Sequence, residues 1–499
     1  MGWRRYAADC TVSRHFLAFD LGAESGRAVV GQLDGAQLRT REIHRFSNQP
    51  VRYNGALQWD ILRLWQEMRA TLETAPTPFQ SVGVDAWGCD FALLGERGNL
   101  LENPYHYRDS RTDGIMETVT TQLTRERIYA ATGVQFLPFN TLYQLYAACQ
   151  LTPRLIDSAA SIATIPDLLN YWLTGNLRSE VTIASTTQFV DARTRDWATA
   201  LLFDLNVPTR LLPPLIEPGT VVGTLESRLP ATHRGTHVVA PACHDTGSAV
   251  AAVPVGRKTA FLSSGTWSLL GTEVAAPIIS DSACQLNFTN EAGVCGTTRF
   301  LKNIAGLWLL QACRHRWASA GTDYSYTELV ELAADRRYAF AALFDPDHRD
   351  FLHPDDMPSA IAAYCQHTGQ SEPSGPAAYA RAILESLAFK YRVVLESLER
   401  LTDTSFEEIR VIGGGARNHV LNQFTADATG RPVVAGPVEA TALGNIAVQM
   451  LATGSVSSLD EARAIIGESF PAERYEPSNA DQWDHQYARF MEYLELTCA

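Results

Sequence analysis

The chain has 499 residues, 46% of them apolar and 19% charged, with a formal net charge of −14. That length exceeds one compact core and implies two or three domains, and the balance is that of a globular rather than a disordered protein. No cluster of Lys and Arg stands against the acidity, which excludes nucleic acid as a partner class because such binding rests on a basic footprint.

Residues 1–15 carry no apolar stretch able to act as a signal peptide and read as an N-terminal extension. The first strand is expected at Phe16-Leu17-Ala18-Phe19. A glycine-bearing turn follows, and a second strand runs from Arg27 to Leu33, ending at Asp34-Gly35. Asp60 is placed as N-cap of a helix with Ile61, Leu64, Trp65, Met68 and Leu72 on one face. Ser81 to Asp85 reads as a strand ending in a carboxylate, and strands alternate with helices to about residue 250. Residues 260–271 read again as strand, small-residue turn, strand, an echo of the opening of the chain. A helix is expected from about Ala377 to Leu401, then a strand at Ile409 to Ile412 running into Gly413-Gly414-Gly415. The resulting expectation is two α/β halves, 16–250 and 251–499, joined near residues 247–256 with a cleft between them. The nine cysteines, Cys10, Cys89, Cys149, Cys243, Cys284, Cys295, Cys313, Cys365 and Cys498, include no C-x-x-C pair. Their odd number argues against a disulfide framework and for a reduced, cytoplasmic protein. No run is long enough to span a bilayer, so no membrane partner is expected.

Several segments carry candidate chemistry. In Asp20-Leu21-Gly22-Ala23-Glu24-Ser25-Gly26-Arg27 the small residues let backbone N–H groups approach anionic oxygens. Asp20 can hold Mg²⁺ through water, and Ser25 and Arg27 can touch phosphate; a tight hairpin that needs glycine accounts for the same residues. The segment is no Walker A loop, since Lys-Ser/Thr is missing. Gly413-Gly414-Gly415-Ala416-Arg417-Asn418 follows a strand and opens a helix, either as a nucleotide surface or as a generic turn. In Ala242-Cys243-His244-Asp245-Thr246-Gly247, a strand ends and presents Asp245 before a small-residue helix. A carboxylate there can take the proton of a substrate hydroxyl, or can simply cap the helix. Asp85-Ala86-Trp87-Gly88-Cys89-Asp90 and Tyr105-His106-Tyr107-Arg108-Asp109-Ser110-Arg111 set aromatics beside charged groups, as a polyol site or as loops held by local ion pairs.

Taken in order, these segments resemble the FGGY carbohydrate kinase family, which includes glycerol, xylulose and fuculose kinases. The match runs from about Phe16 to Ser469. It rests on Asp20 to Arg27, Ser81 to Leu94, Tyr105 to Asp113, Phe136 to Leu145, Leu262 to Leu270, Phe300 to Gln311 and Gly436 to Asn445. The resemblance implies two ribonuclease H-like domains, of the actin and hexokinase superfamily, around a central cleft. The first would bind sugar and the second ATP, with transfer of the γ-phosphoryl to the 1-hydroxyl of a ketose, L-rhamnulose foremost. By that likeness Asp245 is the general base. Gly88, His244, Asp245, Thr246 and Asn303 stand where the family contacts sugar. Ala23, Glu24, Ser25, Gly26, Arg27, Thr266, Gln311 and Gly414 stand where it contacts ATP, with Mg²⁺ between the phosphates. Tyr107 replaces a tryptophan of many relatives, and Glu24 adds a negative charge to the phosphate loop, so its side chain is expected to point away from ATP. The competing readings are a kinase for L-fuculose or D-xylulose, a sugar-binding regulator of the same fold, and an actin-like ATPase. The intact Asp245, the acidic surface and the lack of an appended helix-turn-helix speak against the regulator. Oligomeric state is not readable from the sequence.

Overall fold

A computed structural model describes residues 13–498 apart from 76–77, 227–228, 230–232, 257 and 353. Residues 1–12 of the expected extension lie outside the described residues, and the extension is shorter than expected. Arg14 and His15 already belong to the first strand, β1 (Arg14–Leu21), because both find partners on the next strand, β2 (Ser25–Asp34).

The opening hairpin extends into β3 (Gln37–Ser47), and β4 (Ser81–Ala86) joins β1 in parallel. With β5 (Val221–Thr224) and β6 (His237–Val239) the sheet has the order β5-β6-β4-β1-β2-β3. The connection from β3 to β4 is α1 (Ile61–Thr74), started by Asp60, whose carboxylate accepts from the Arg63 amide. Ile61, Leu64, Met68 and Leu72 are buried as expected, while Trp65 is only partly covered and meets Trp172 edge-on.

The β1 sequence has no polar residue from Phe16 to Phe19, which fits a strand covered on both faces. Alternation then assigns the faces. Leu17 and Phe19 pack with Ile61, Leu64 and Met68 of α1, whereas Phe16 and Ala18 pack against Leu443, Ile446 and Ala447. The latter residues come from the helix Ala440–Ala452, so the first sheet takes its second cover from the far end of the chain.

The second sheet repeats the plan. It contains β7 (Thr259–Ser264), β8 (Trp267–Val274), β9 (Thr289–Ala292), β10 (Thr298–Ala305), β11 (Glu408–Ile412), β12 (Val433–Ala435) and β13 (Glu473–Tyr475). Their order is β9-β10-β8-β7-β11-β12-β13. In both sheets an antiparallel three-strand meander, β1-β2-β3 or β7-β8-β10, continues into parallel strands beside its first member. The echo read between residues 16–33 and 260–271 is this shared hairpin.

Five helices complete the frame around the cleft: α2 (Ile165–Thr174), α3 (Asp245–Ala251), α4 (Trp308–Ser319), α5 (Gly375–Thr402) and α6 (His419–Thr429). A sixth, α7 (Ala440–Ala452), crosses α3 so closely that a Cβ on Gly444 would lie 1.7 Å from the Ser248 carbonyl oxygen. Small residues at the crossing, Gly444 against Ser248 and Ala252, permit that approach. A buried polar chain ties α7 to the first sheet. Ser81 Oγ donates to Gln449 Oε1 at 2.7 Å, Gln449 Nε2 to Asn445 Oδ1 at 2.7 Å, and Asn445 Nδ2 to Asp85 Oδ2 at 2.6 Å. The two halves are thus joined by α3 and α7 as well as by sequence. Among the described residues, no helix is long and apolar enough to cross a membrane, and all seven described cysteines are free.

Candidate active site

A cavity opens between the two sheets, and residues from both halves line it: Ala23, Gly88 and His244 to Thr246 from the first, Thr266, Asn303 and Gly414 from the second. Eight residues singled out from the sequence are therefore brought together. Asp20, Glu24, Ser25, Gly26, Arg27 and Gln311 do not line it.

The base candidate gets its place from a strand end. After β6, Ala86 N donates to the Cys243 carbonyl oxygen at 2.9 Å, which sets His244-Asp245 beside the end of β4. Two further contacts fix this backbone from below: Cys243 N donates to Glu180 Oε2 at 2.9 Å, and His244 N to Thr182 Oγ1 at 3.3 Å. Asp245 is the first residue of α3, where its Oδ1 accepts from the Thr246 amide at 2.5 Å. Asp245 is not the cap: that place falls to His244, which makes no side-chain cap bond, while the Asp245 carboxylate lines the cavity. Burial pushes the Asp245 carboxyl above its usual range; His244 pulls the other way and Asp20 adds to the rise. His244 Nε2 lies 3.4 Å from Asp245 Oδ1.

The neighbouring wall is aromatic, and one buried carboxylate organises it. Asp90 Oδ2 accepts from Trp59 Nε1 at 2.6 Å, Trp87 Nε1 at 2.9 Å and the Tyr107 amide at 3.2 Å. Gln144 Nε2 donates to its other oxygen at 2.8 Å, and burial pushes the Asp90 carboxyl up to about 6. Trp87, Tyr107, Phe139 and Trp267 thereby face the cavity, and Gly88 sits among them. A Cβ on Gly88 would stand 3.2 Å from Thr186 Oγ1 and 3.5 Å from His244 Nε2, so the glycine keeps this corner open.

Across the cavity, Asn303 is held from the opposite half. Its amide and Nδ2 donate to Gln135 Oε1 at 2.8 and 3.0 Å, and Gln135 Nε2 donates back to its carbonyl oxygen at 3.1 Å. Thr266 lies in the tight turn between β7 and β8, where Trp308 N donates to its carbonyl oxygen at 3.1 Å and Leu307 N to that of Gly265 at 2.9 Å. Gly413 has φ +82°, a conformation that favours glycine, and Gly415 packs so that a Cβ would meet Ser264 Oγ at 2.0 Å. Around Gly414, in contrast, nothing lies within 4 Å of where a Cβ would be. The Gly413-Gly415 turn therefore presents one open face to the cavity and one packed face to β7.

The opening hairpin serves differently from the small-residue argument. Gly26 is glycine because a Cβ would lie 2.3 Å from the Phe46 ring, a packing demand. Arg27 is paired with Asp20, Nη2 to Oδ2 at 2.6 Å, and also with Glu439 from the other half. Glu24 Oε2 lies 3.5 Å from Gln311 Nε2, a contact between the halves. Ser25 is the first residue of β2, and Gly22 N closes the turn on its carbonyl oxygen at 2.9 Å. Asp85, the carboxylate at the end of β4, lies beneath the site rather than in it; burial first and Asp20 second raise it well above the carboxylate range.

No group of three or more His, Cys, Asp or Glu side chains able to hold a metal occurs among the described residues. Mg²⁺ in phosphoryl-transfer sites is usually held by one or two carboxylates, waters and the phosphates themselves, so this donor set fits a metal that arrives with the nucleotide. Asp20, the carboxylate expected to hold it through water, does not line the cavity and is bonded to Arg27 at 2.6 Å.

Sequence reasoning missed Glu291 and Arg299 altogether. Glu291 lies on β9 and lines the cavity, and Arg299, its cross-strand partner on β10, is fully buried behind it. A charged residue in each of two neighbouring strands was the available signal, but without register nothing paired them.

The model of the FGGY family of carbohydrate kinases, N-terminal domain, matches residues 15–252, and that of the C-terminal domain matches residues 260–453. A rhamnulokinase of Bacteroides thetaiotaomicron is 43% identical over 485 residues, covering 96% of this chain and 99% of that one. A rhamnulokinase of Oceanobacillus iheyensis is 41% identical over 464 residues, covering 92% and 97%. Among solved structures, gluconate kinase from Lactobacillus acidophilus superposes with a TM-score of 0.78 at 16% identity, covering 98% of this chain and 99% of that one. Xylulose kinase from Rhodospirillum rubrum gives 0.75 at 18%, covering 97% and 99%. These last two likenesses bear on the fold alone.

Proposed function

The chain belongs to the FGGY family of carbohydrate kinases, and on that premise we propose that it transfers the γ-phosphoryl group of ATP to the 1-hydroxyl of L-rhamnulose, giving L-rhamnulose 1-phosphate and ADP. The observation that carries this reading is a single cavity with Asp245 on one wall and the open Thr266 and Gly413-Gly414 turns on the other. Substrate hydroxyl and terminal phosphate then meet between the halves. The choice of L-rhamnulose among ketoses rests on the near full-length likeness to chains named rhamnulokinase.

In this reading the ketose lies against Gly88, His244, Thr246 and Asn303 with its 1-hydroxyl toward Asp245. Asp245 takes the hydroxyl proton as the oxygen–phosphorus bond forms and the bond to the ADP oxygen breaks. Its raised pKa suits the task, since the group stays a competent acceptor without being a weak base. The backbone N–H groups of the Thr266 and Gly414 turns face the nucleotide phosphates, with Ala23 at the edge of the same cavity. Asp20 would hold Mg²⁺ through water, and the metal would supply positive charge opposite the transferring group. Ser25, Gly26, Arg27, Glu24 and Gln311 act behind this layer, Arg27 through Asp20 and Glu439.

The test is ADP release by the purified protein with MgATP and a panel of L-rhamnulose, L-fuculose, D-xylulose and glycerol. Release greatest with L-rhamnulose supports the proposal. A maximum with another sugar keeps the base and the cavity and changes the substrate, and release independent of any sugar defeats the kinase reading.

A further inference from the structure

We propose that Glu291 selects the acceptor: its carboxylate takes a hydrogen bond from a hydroxyl of the ketose other than the one phosphorylated, and Arg299 is the positioning residue that holds it there. The inference rests on the reading of the site as a ketose kinase and adds what that reading leaves open, the origin of substrate preference.

Two carboxylates reach the cavity wall, Asp245 and Glu291, and no Lys or Arg does so among the described lining residues. They stand at opposite nitrogens of one imidazole. His244 Nε2 is 3.4 Å from Asp245 Oδ1, and its Nδ1 is 3.2 Å from Glu291 Oε2. A polyol lying along that ring can give one hydroxyl to Asp245 and a second to Glu291. Asp245 accounts for the reacting hydroxyl and leaves Glu291 as the second carboxylate on the wall.

A carboxylate with 4% exposure is costly unless it is paired. Arg299, with no exposed surface, puts Nη1 3.1 Å from Glu291 Oε2, and its Nε donates to the Ala292 carbonyl oxygen at 3.2 Å. Its Nη2 lies 3.2 Å from His244 Nδ1. Burial draws the Glu291 carboxyl upward, but the Arg299 charge and contacts with His244 and Asn303 outweigh it and hold the group below the usual range. Glu291 therefore offers lone pairs and no proton at neutral pH. Glu291 thus presents an acceptor to neutral hydroxyl donors of the sugar. A site built to hydrogen-bond a hydroxyl also discriminates strongly against analogues that lack it.

The experiment compares L-rhamnulose with dihydroxyacetone, which keeps the ketone and a primary hydroxyl and lacks the remaining chain. The wild-type enzyme is expected to favour L-rhamnulose in kcat/KM. Glu291→Gln is expected to lose at least about tenfold of that preference, the size of one hydrogen bond to a charged group, while KM for ATP stays in place. A merely structural role would slow both acceptors alike, and a preference equal to the wild-type value overturns the proposal. If Glu291→Gln does not fold, Glu291→Asp, which keeps the charge and shortens the reach, is read by the same ratio. If the wild-type protein phosphorylates none of the ketoses, the functional proposal fails on its own. L-rhamnulose titrated against the fluorescence of Trp87 and Trp267 then still decides the role of Glu291: weaker binding in Glu291→Gln upholds it, and equal binding removes it.

Discussion

At Asp245 a single side chain answers to two neighbours, the amide of Thr246 from which it accepts and the cavity that it faces. Asp245→Asn keeps the shape and removes the proton acceptor, so kcat should fall by roughly 10²- to 10⁴-fold, the range of general acid–base contributions. Binding of L-rhamnulose, followed by tryptophan fluorescence, should survive. Near-normal turnover would sink the assignment of the base. The pH dependence has a definite sign. Asp245 must be ionised to accept a proton, and its carboxyl is raised, first by burial. Activity should therefore decline with falling pH, along an acid limb whose midpoint lies above the ordinary carboxylate range. A kcat/KM profile still flat through that range would contradict the burial argument. Asp90 and Glu291 illustrate how little of this is local. Each is a plain acidic residue in sequence, yet one collects Trp59, Trp87 and Tyr107 and the other pairs with Arg299.

At the scale of elements, the contact between α3 and α7 is the junction on which the site depends. The helix that starts with Asp245 is crossed by the helix that starts beside Thr441, and both residues line the cavity. Gly444→Ala would force a methyl group to within 1.7 Å of the Ser248 carbonyl oxygen unless the helices part. Overpacking of this kind costs about 1–3 kcal/mol. The variant should unfold at a lower temperature in calorimetry, with a raised KM for sugar, and an unchanged melting curve would mean that the helices yield freely. This crossing was invisible in the sequence. Periodicity located the buried face of the Asp60-capped helix, which turns one regular apolar stripe inward, and the helix around residues 377–401, which is buried on every side from Ala380 to Tyr391. It did not distinguish α7, which is covered on several sides and reads as apolar almost throughout.

Across the whole molecule, the halves are linked at several places around the cleft. Arg108, from the first half, donates from Nη1 to the Leu352 carbonyl oxygen at 2.7 Å and stacks 3.9 Å over Trp308. It lies beside Tyr107 and Trp267, which wall the cavity. Removing this bridge should let water reach the site, since closure is what keeps a kinase from hydrolysing ATP. Arg108→Ala is expected to raise ADP formed per sugar phosphate formed, measured by running both assays on one sample. A ratio equal to the wild type would place the closing contacts elsewhere, for example at Gln135 and Asn303.

The sequence by itself determined the α/β class, both hairpin openings, the strand that carries Asp85 and the turn that carries Asp245. These features are encoded by neighbours in the chain: apolar runs, glycine punctuation and a carboxylate at a strand end. Only the tertiary structure decided which of them meet. It brought Gly88, His244, Asp245, Thr246, Asn303, Thr266 and Gly414 around one cavity and left Gly26 and Arg27 to packing and ion pairs outside it. It also sent α7 back over the first sheet and set Glu291 against Arg299. Pairings of this kind join residues far apart in the chain or on opposite edges of a hairpin. They are fixed by sheet register and helix crossing, and local sequence carries no record of either.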